Sequence, residues 1–493
     1  MGKDRHIAVI GAGPGGLTSA MILARHGYRV SVYEAKPRVG GRNARLSLGP
    51  YHFDTGPTFL MMPPILREMF EMAGKKQEDY LDSKPLDPMY QLSFHDLDIF
   101  PSSDHGKMRA EIQRLFPGNE AGFGRFLKKE GRRFRLMDPC LRKPYSTLGS
   151  LFYKDFIKAL PFLSVGKSMY RMLGHYFNEE KLKISFTFQA KYLGMSPWEC
   201  PAAFTMIPYI EHEYGIDHVT GGLSEISEAM ARVVREHGGE LFLDTPVKQI
   251  LTRDRRATGL LLENGETIDT DSVVINADFG YAMENLFAPG VIRKYRPEKL
   301  QKKLFSCSIL MFYLGVDKLY PDTHHNIIIT RDYRKNIHEI VSGVLSDEVS
   351  IYVRNASIND PTLAPDGHSA VYVLVPVPNN RSGIAWDRER VDIYREKVLK
   401  IIESRTGMKD IRNHIVREKV ITPQGWEQDY NVYLGATFNL GHSINQMLYF
   451  RPHNQFEEVQ DVYLVGGGTH PGSGLPTIYE SGRISADLIM KNH

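Results

Sequence analysis

Residues 6–16 read HIAVIGAGPGG, and the fold turns on how this stretch is interpreted. A short apolar run leads directly into Gly11, Gly13 and Gly16, spaced as GxGxxG, with Pro14 and Gly15 completing the loop. Residues 18–28 then carry a helical apolar pattern (Ala20, Met21, Leu23, Ala24) that stops at Gly27. RVSVYE comes next as a second strand ending on Glu34. Each glycine has its own role. Gly11 permits a tight turn, Gly13 lets the main chain approach a pyrophosphate, and Gly16 lets helix and strand pack closely. The helix N-terminus presents N–H groups and partial positive charge to the phosphates. Glu34, at the end of the second strand, is where a carboxylate accepts ribose hydroxyls. Strand, helix and acid in register distinguish a dinucleotide site from an ordinary glycine-rich turn.

The rest of the chain constrains the context. Its 493 residues exceed one compact core, so several substructures are expected. Hydrophobic content of 42% and charged content of 24% are those of a globular protein. A net charge of +3 gives no reason to expect nucleic acid as a partner. Cys140, Cys200 and Cys307 lack CxxC spacing, so neither a disulfide framework nor a metal site is expected, and a cytoplasmic setting fits. No apolar run reaches the eighteen or so residues that span a bilayer, so any membrane contact would be from one side. The N-terminus starts a strand too early for a signal peptide.

The residues after Glu34 and Ala35 select the dinucleotide. KPRVGGR places Gly40, Gly41 and Arg42 just beyond the acid. This resembles the glycine–arginine extension of FAD enzymes in the amine oxidase and carotenoid desaturase superfamily. The resemblance implies that the glycine pair lets the backbone pass the flavin's ribityl-phosphate arm, and that Arg42 meets phosphate charge. FDTGPTFLMMPP (residues 53–64) is similar to the superfamily's next flavin-contacting segment, which implies Gly56, Pro57 and Thr58 under the ring. Only one GxGxxG is present, so no second nicotinamide site is expected.

From residue 220 a glycine pair opens an amphipathic helix (Ile226, Met230, Val233, Val234), ended by Gly238 and Gly239. Strands are expected at 241–243, 247–252, 258–262 and 272–276, with a hairpin signal at Glu263-Asn264-Gly265-Glu266. The resemblance places Val247 where family members hold the adenine with main-chain groups. The expected architecture is α/β: a discontinuous Rossmann-like FAD-binding domain of GR2 type (1–75, 220–299 and 455–493). Into it is inserted an α+β substrate domain (76–219 and 300–454), rich in aromatics and methionine, with membrane-contacting helices.

Residues 462–482, VYLVGGGTHPGSGLPTIYESG, read as a last parallel strand, a glycine-rich loop and a helix. Pro476 suits the helix's first turn, where its missing N–H costs nothing. The loop 466–475, with Gly467, Gly468, Pro476 and Thr477, would then wall the flavin, and a positive helix end there would stabilise the reduced, anionic ring. The stretch THPGSGLPTIYESGRISA (469–486) resembles the C-terminal signature of bacterial-type phytoene desaturases, including the dehydrosqualene (diapophytoene) desaturases. FDTGPT, CSILMFYLGVD from Cys307 and TFNLGHSINQMLYFRPHN (437–454) carry the resemblance over nearly the whole chain. TIYESGR, with Tyr479 and Glu480, departs from the small apolar run that desaturases often have there.

The resemblance implies FAD, a long polyisoprenoid hydrocarbon substrate, and desaturation by hydride transfer to flavin; no cysteine follows Cys307 and the C-terminal loop has none, so the FAD is expected to be non-covalent. Electrons would then pass to oxygen or a quinone. Some relatives oxidise terminal methyl groups; a flavin amine oxidase or a non-catalytic prenyl-binding protein are the other readings of these motifs. His470 is a candidate acid or base beside the flavin, or else a residue that orders the loop. Glu480 is a candidate proton acceptor, or a solvated or salt-bridged carboxylate. Residues 121–143 hold eight Lys/Arg against two Asp/Glu. Residues 148–173 then mix Phe152, Phe156, Leu160, Phe162 and Leu163 with Lys154, Lys158, Lys167 and Arg171. That alternation suits a helix lying in a membrane interface, or a core helix with a basic solvated face.

Overall fold

The computed structural model describes residues 5–493. Five strands form a parallel sheet in the spatial order Glu240–Phe242, Arg29–Tyr33, His6–Ile10, Ser272–Ile275, Val462–Leu464. Its central strand HIAVI is buried on both faces, which is why it reads as an unbroken apolar run rather than an alternation. Successive side chains point to opposite faces. Ile7 and Val9 join a core formed with helices Pro14–Arg25, Ser224–Glu236 and Leu475–Asn492. Ala8 and Ile10 pack on the other face against Ile250, Leu260 and Leu262. These belong to the antiparallel meander Val247–Arg253, Arg256–Leu262, Thr267–Asp269. The result is an α/β fold with helices on one face of a Rossmann-like sheet and a small β-layer on the other.

The expected hairpin at 263–266 joins Arg256–Leu262 to the short strand Thr267–Asp269. Ser272–Ile275 leaves the meander for the parallel sheet, because it is apolar beyond its first residue and buried throughout.

A second sheet has seven strands in the order Ile415–Ile421, Ser308–Val316, Ser369–Val377, Ile351–Asn355, His325–Ile328, Gln91–Ser93, Asp98–Ile99. Its pairing is antiparallel except between His325–Ile328 and Gln91–Ser93. Within SILMFYLGV, Leu310, Phe312 and Leu314 pack under helix Arg388–Arg405 through Val398, Leu399 and Ile402. Ile309, Met311 and Tyr313 face the opposite side, toward Phe53 and Trp426.

Residues 148–173 do not form the single interfacial helix expected of them. They break into turns and short helices: Leu148–Phe152, Lys154–Ala159, Leu160–Phe162 and Met169–Leu173. Gly149, Pro161 and Gly166 interrupt any longer run. Several of their apolar side chains nevertheless point outward, with Phe152 76% and Val165 69% exposed. Among the described residues, no helix is long and apolar enough to cross a membrane.

Candidate active site

In open parallel sheets, ligands bind beyond the carboxyl ends of the strands where strand order reverses. Here the reversal is at His6–Ile10, whose neighbours are Arg29–Tyr33 on one side and Ser272–Ile275 on the other. Gly11 leaves that strand with φ +93°, and its N–H donates to the Tyr33 carbonyl at 2.8 Å. A Cβ on Gly16 would lie 2.4 Å from the Gly11 carbonyl oxygen and 2.9 Å from Asn276 Cβ, so only glycine lets the helix sit this low. Asn276 donates to the Gly11 carbonyl at 3.1 Å and abuts Gly13 and Gly15. It props the loop from the next strand's end, a role that no spacing in the motif signals.

Glu34, 7% exposed, accepts the N–H of Ala12 at 2.8 Å and of Lys36 at 3.0 Å. Burial pushes its carboxyl above the usual range, and those N–H donors oppose the shift. The carboxylate therefore fastens the glycine loop to the next segment as well as facing the cavity. The Gly40 N–H (φ +110°) donates to the Ala12 carbonyl at 2.7 Å, closing the same cradle. Arg42 is less free than the sequence suggests. Its Nη1 donates to the Thr437 carbonyl at 2.8 Å and stands 3.6 Å from Asp278, a buried carboxylate that burial pushes up and Arg42 holds down.

Two tyrosines from the second sheet hold the segment 56–58. Tyr372 donates to the Gly56 carbonyl at 2.7 Å, and the hydroxyls of Tyr352 and Thr58 are bonded at 2.8 Å. Tyr352 also meets His325 Nδ1 at 2.7 Å.

The loop 466–475 is fixed from behind. Arg451 is fully buried, and its guanidinium donates to five carbonyls: Leu440, Gly441, Gln446, Gly467 and Thr469. That uses every N–H an arginine side chain has. Gly472 has φ +143°, and a Cβ there would stand 2.7 Å from His442 Nε2, which accepts the Ser473 N–H at 3.1 Å. Gly474, at φ +112°, caps helix Leu475–Asn492 with Pro476 in its first turn. Arg451 lies within the desaturase-like stretch 437–454, yet a charged side chain by itself gives no sign of burial.

These elements surround one cavity of about 970 Å³, at the upper end of the ~300–1,000 Å³ usual for ligand sites. Gly11, Gly13, Pro14, Glu34, Ala35, Gly40, Gly41, Arg42, Gly56, Pro57, Thr58, Val247, Gly467, Gly468 and Pro476 line it. Gly15, Gly16 and Thr477 do not. The glycines lie beneath the loop, and the Thr477 hydroxyl turns back to the Gly472, Ser473 and Gly474 carbonyls. The same cavity continues along Ile309, Ile327, Ile351, Tyr352 and Leu374 of the second sheet, an apolar extension.

Both side chains considered for acid–base chemistry lie off this cavity. His470 is buried beside Tyr145, at 5.1 Å between ring centroids, and burial together with the Arg451 charge pushes its pKa down to about 3. It is neutral at physiological pH and packs behind the loop. Glu480 is buried in a salt bridge to Arg483 at 2.7 Å, with Arg142 at 3.5 Å, tying helix Leu475–Asn492 to the end of Glu120–Leu141. The helix turns position 480 away from the cavity, which sequence proximity to the loop conceals.

A parallel sheet opening through glycine loops onto a deep cavity with an apolar extension defines a dinucleotide-dependent oxidoreductase. The family model for flavin containing amine oxidoreductases matches residues 14–490. A 4,4'-diapophytoene desaturase (4,4'-diapolycopene-forming) from Methylomonas sp is 52% identical over 100% of this chain and 96% of its own. A phytoene desaturase (neurosporene-forming) from Rhodobacter capsulatus is 35% identical over 98% of this chain and 93% of its own. Among solved structures, an oxidoreductase from Methanosarcina mazei superposes with a TM-score of 0.64 at 17% identity, covering 99% of this chain and 100% of its own. The chain belongs to the flavin containing amine oxidoreductases. It is an FAD-dependent oxidoreductase, and the side-chain-free cradle at Gly11, Gly13, Gly40 and Gly41 fits that cofactor.

Proposed function

We propose that this chain desaturates a linear carotenoid precursor, with the C30 hydrocarbon 4,4'-diapophytoene as the first substrate to test. The observation that carries the reading is the continuity of the cavity, from the glycine cradle into an apolar extension lined by Ile309, Ile327, Ile351 and Leu374. A hydrocarbon needs such walls and no polar anchor, whereas an amine would need a fixed charge partner. The 52% identity to a diapophytoene desaturase supports the same substrate class.

In the proposed arrangement Glu34 meets the adenosine ribose, Val247 the adenine, Gly11 and Gly13 the pyrophosphate, and Gly40, Gly41 and Arg42 the ribityl-phosphate arm. Gly56, Pro57, Thr58, Gly467, Gly468 and Pro476, which line the same cavity, would hold the flavin end of the cofactor. FAD supplies the hydride acceptor. The chain's own contribution is alignment. The apolar walls hold an allylic C–H at the ring and exclude water, and orientation of this kind removes roughly 7–11 kcal/mol of barrier. The parallel sheet is built from segments within 1–75, 220–299 and 455–493, and the second sheet from segments within 76–219 and 300–454. That division supports reading them as FAD and substrate domains.

Peripheral membrane attachment belongs to the same proposal. Leu148, Phe152, Ile157, Leu160 and Val165 are exposed in a segment that also carries Lys154, Lys158 and Lys167, and Leu448–Phe450 packs beside Leu148–Phe152 with Phe450 exposed. An apolar patch interspersed with basic residues fits an anionic lipid surface from which the substrate enters. Oxygen or a quinone then takes the electrons. The test is incubation of the purified holoprotein with liposomes carrying diapophytoene or phytoene, in air or under argon with a quinone. Conjugated polyene products are expected; amine-dependent peroxide release without polyene formation would overturn the reading.

A further inference from the structure

A hydrocarbon site has no evident use for an amine, yet Lys191 is part of this cavity's wall, beside Cys307. Among the described residues, no carboxylate comes within ion-pair distance of it. Its Nζ lies over the Tyr333 ring, 4.8 Å from the centroid. The turn that carries Lys191 ends at Gly194, which packs beside Phe438 of the desaturase-like stretch 437–454. A Cβ on Gly194, in the same turn, would stand 2.9 Å from Phe438, whose carbonyl accepts the Ser473 hydroxyl at 2.5 Å.

We propose that Lys191 is the base that accepts the proton lost from the substrate during desaturation, a role that rests on the desaturase reading above. The balance is simple. One allylic C–H would break with its hydrogen leaving as hydride together with the bonding pair, for which bound FAD would supply the two-electron acceptor. The adjacent C–H then breaks heterolytically, its electron pair becomes the new π bond, and its proton forms an N–H bond on Lys191 Nζ. Release of that proton to water as product leaves resets the amine.

The surroundings suit both halves of the cycle. Burial pushes the Lys191 ammonium down to about 7, so a large share is neutral at physiological pH. A neutral amine does not repel the allylic cation on the substrate, and the Tyr333 face stabilises the ammonium once formed. The titratable groups facing it are the Cys307 thiol, pushed by burial up to about 12, and the Tyr333 phenol, pushed well above its ordinary value. Both remain neutral across the working range. Arg334, on the helix that carries Tyr333, is turned onto the Trp198 ring.

The experiment measures polyene formation by holoprotein on diapophytoene liposomes from pH 5.5 to 9. Wild-type rate should rise tenfold per pH unit up to about 7 and level off above it. Lys191→Met should lose ~10²–10⁴ in rate with unchanged FAD content and melting temperature. Lys191→Arg keeps charge and reach but cannot give up a proton, and should be as impaired. Lys191→Met at the wild-type rate, or an active Lys191→Arg, overturns the assignment. So does a wild-type profile flat from pH 6 to 8, a readout that does not depend on either variant folding. Absence of polyene from wild type at every pH would sink the desaturase reading itself, and this assignment with it.

Discussion

Replacing Glu34 with alanine tests the cradle at its most constrained point. Both carboxylate oxygens are committed, to the N–H groups of Ala12 at 2.8 Å and Lys36 at 3.0 Å, in a residue 7% exposed. Hydrogen bonds to a charged group contribute about 1.5–3 kcal/mol each, so the pair is worth about 3–6 kcal/mol before any ribose contact is counted. Where that energy holds the glycine loop in its binding shape, its loss appears as lost affinity, and 3 kcal/mol is ~10²-fold. Glu34→Gln keeps the volume and one acceptor but turns an NH2 toward the other donor, so about tenfold is expected. Apoprotein titrated with FAD, followed by flavin fluorescence, gives both affinities, with far-UV circular dichroism as the control for folding. An alanine variant within threefold of wild type, or a glutamine variant equal to it, would refute the view that Glu34 organises the cradle.

Gly474→Val forces a β-branched residue into φ +112° at the cap of helix Leu475–Asn492. Strain of about 1–3 kcal/mol there should lower bound FAD and nearly abolish turnover, and a fully flavinated, active variant would remove the loop from the site. His470→Gln should keep desaturation within tenfold of wild type, because the ring lies off the cavity. Its pKa of about 3 in the fold means that the unfolded chain protonates first as pH drops below ~6.5. Stability is therefore lost on acidification by up to ~1.4 kcal/mol per unit, and the variant's melting temperature should fall less steeply between pH 6.5 and 5; equal slopes would count against burial of a neutral ring. Lys154→Glu, Lys158→Glu and Lys167→Glu together should reduce sedimentation with anionic liposomes, by ~1 kcal/mol per residue. Phe152→Ser should weaken binding to neutral liposomes as well, by about 1.5–3 kcal/mol; unchanged binding in both would leave the patch an ordinary solvated surface.

Features under local control are legible from spacing alone. The turn at Gly11, the close packing at Gly16 and the helix start at Pro476 each depend on a few neighbouring residues. Membership of the cavity is a different matter, because it depends on which face of an element meets which neighbour. His470 and Glu480 sit within a few residues of cavity-lining positions, yet the loop turns one inward beside Tyr145 and the helix carries the other to Arg483 and Arg142. Lys191, Tyr352 and Tyr372 reach the cavity from segments that carry no nucleotide signal, the two tyrosines on strands of the second sheet and Lys191 on the short turn Phe188–Leu193. In residues 148–173 the apolar and basic side chains alternate as one helix would require. Gly149, Pro161 and Gly166 break the backbone that would have to carry the pattern.

The pairing of Val462–Leu464 with Ser272–Ile275 also has a bearing on biosynthesis. The strand and loop that close the far wall of the glycine cradle are synthesised several hundred residues after the glycine loop itself. At ~5–20 residues per second, that interval is tens of seconds. Throughout it, Leu17, Met21 and Ile22 of the first helix lack the cover that Ala486 and Ile489 later supply. The nascent chain therefore spends its synthesis with a half-built nucleotide cradle and an uncovered apolar helix face, the condition in which chaperones are engaged and aggregation competes. A complete flavin cradle therefore has to wait for the last strand of the sheet, and the yield of active protein in a cell should follow the supply of free FAD when that strand docks.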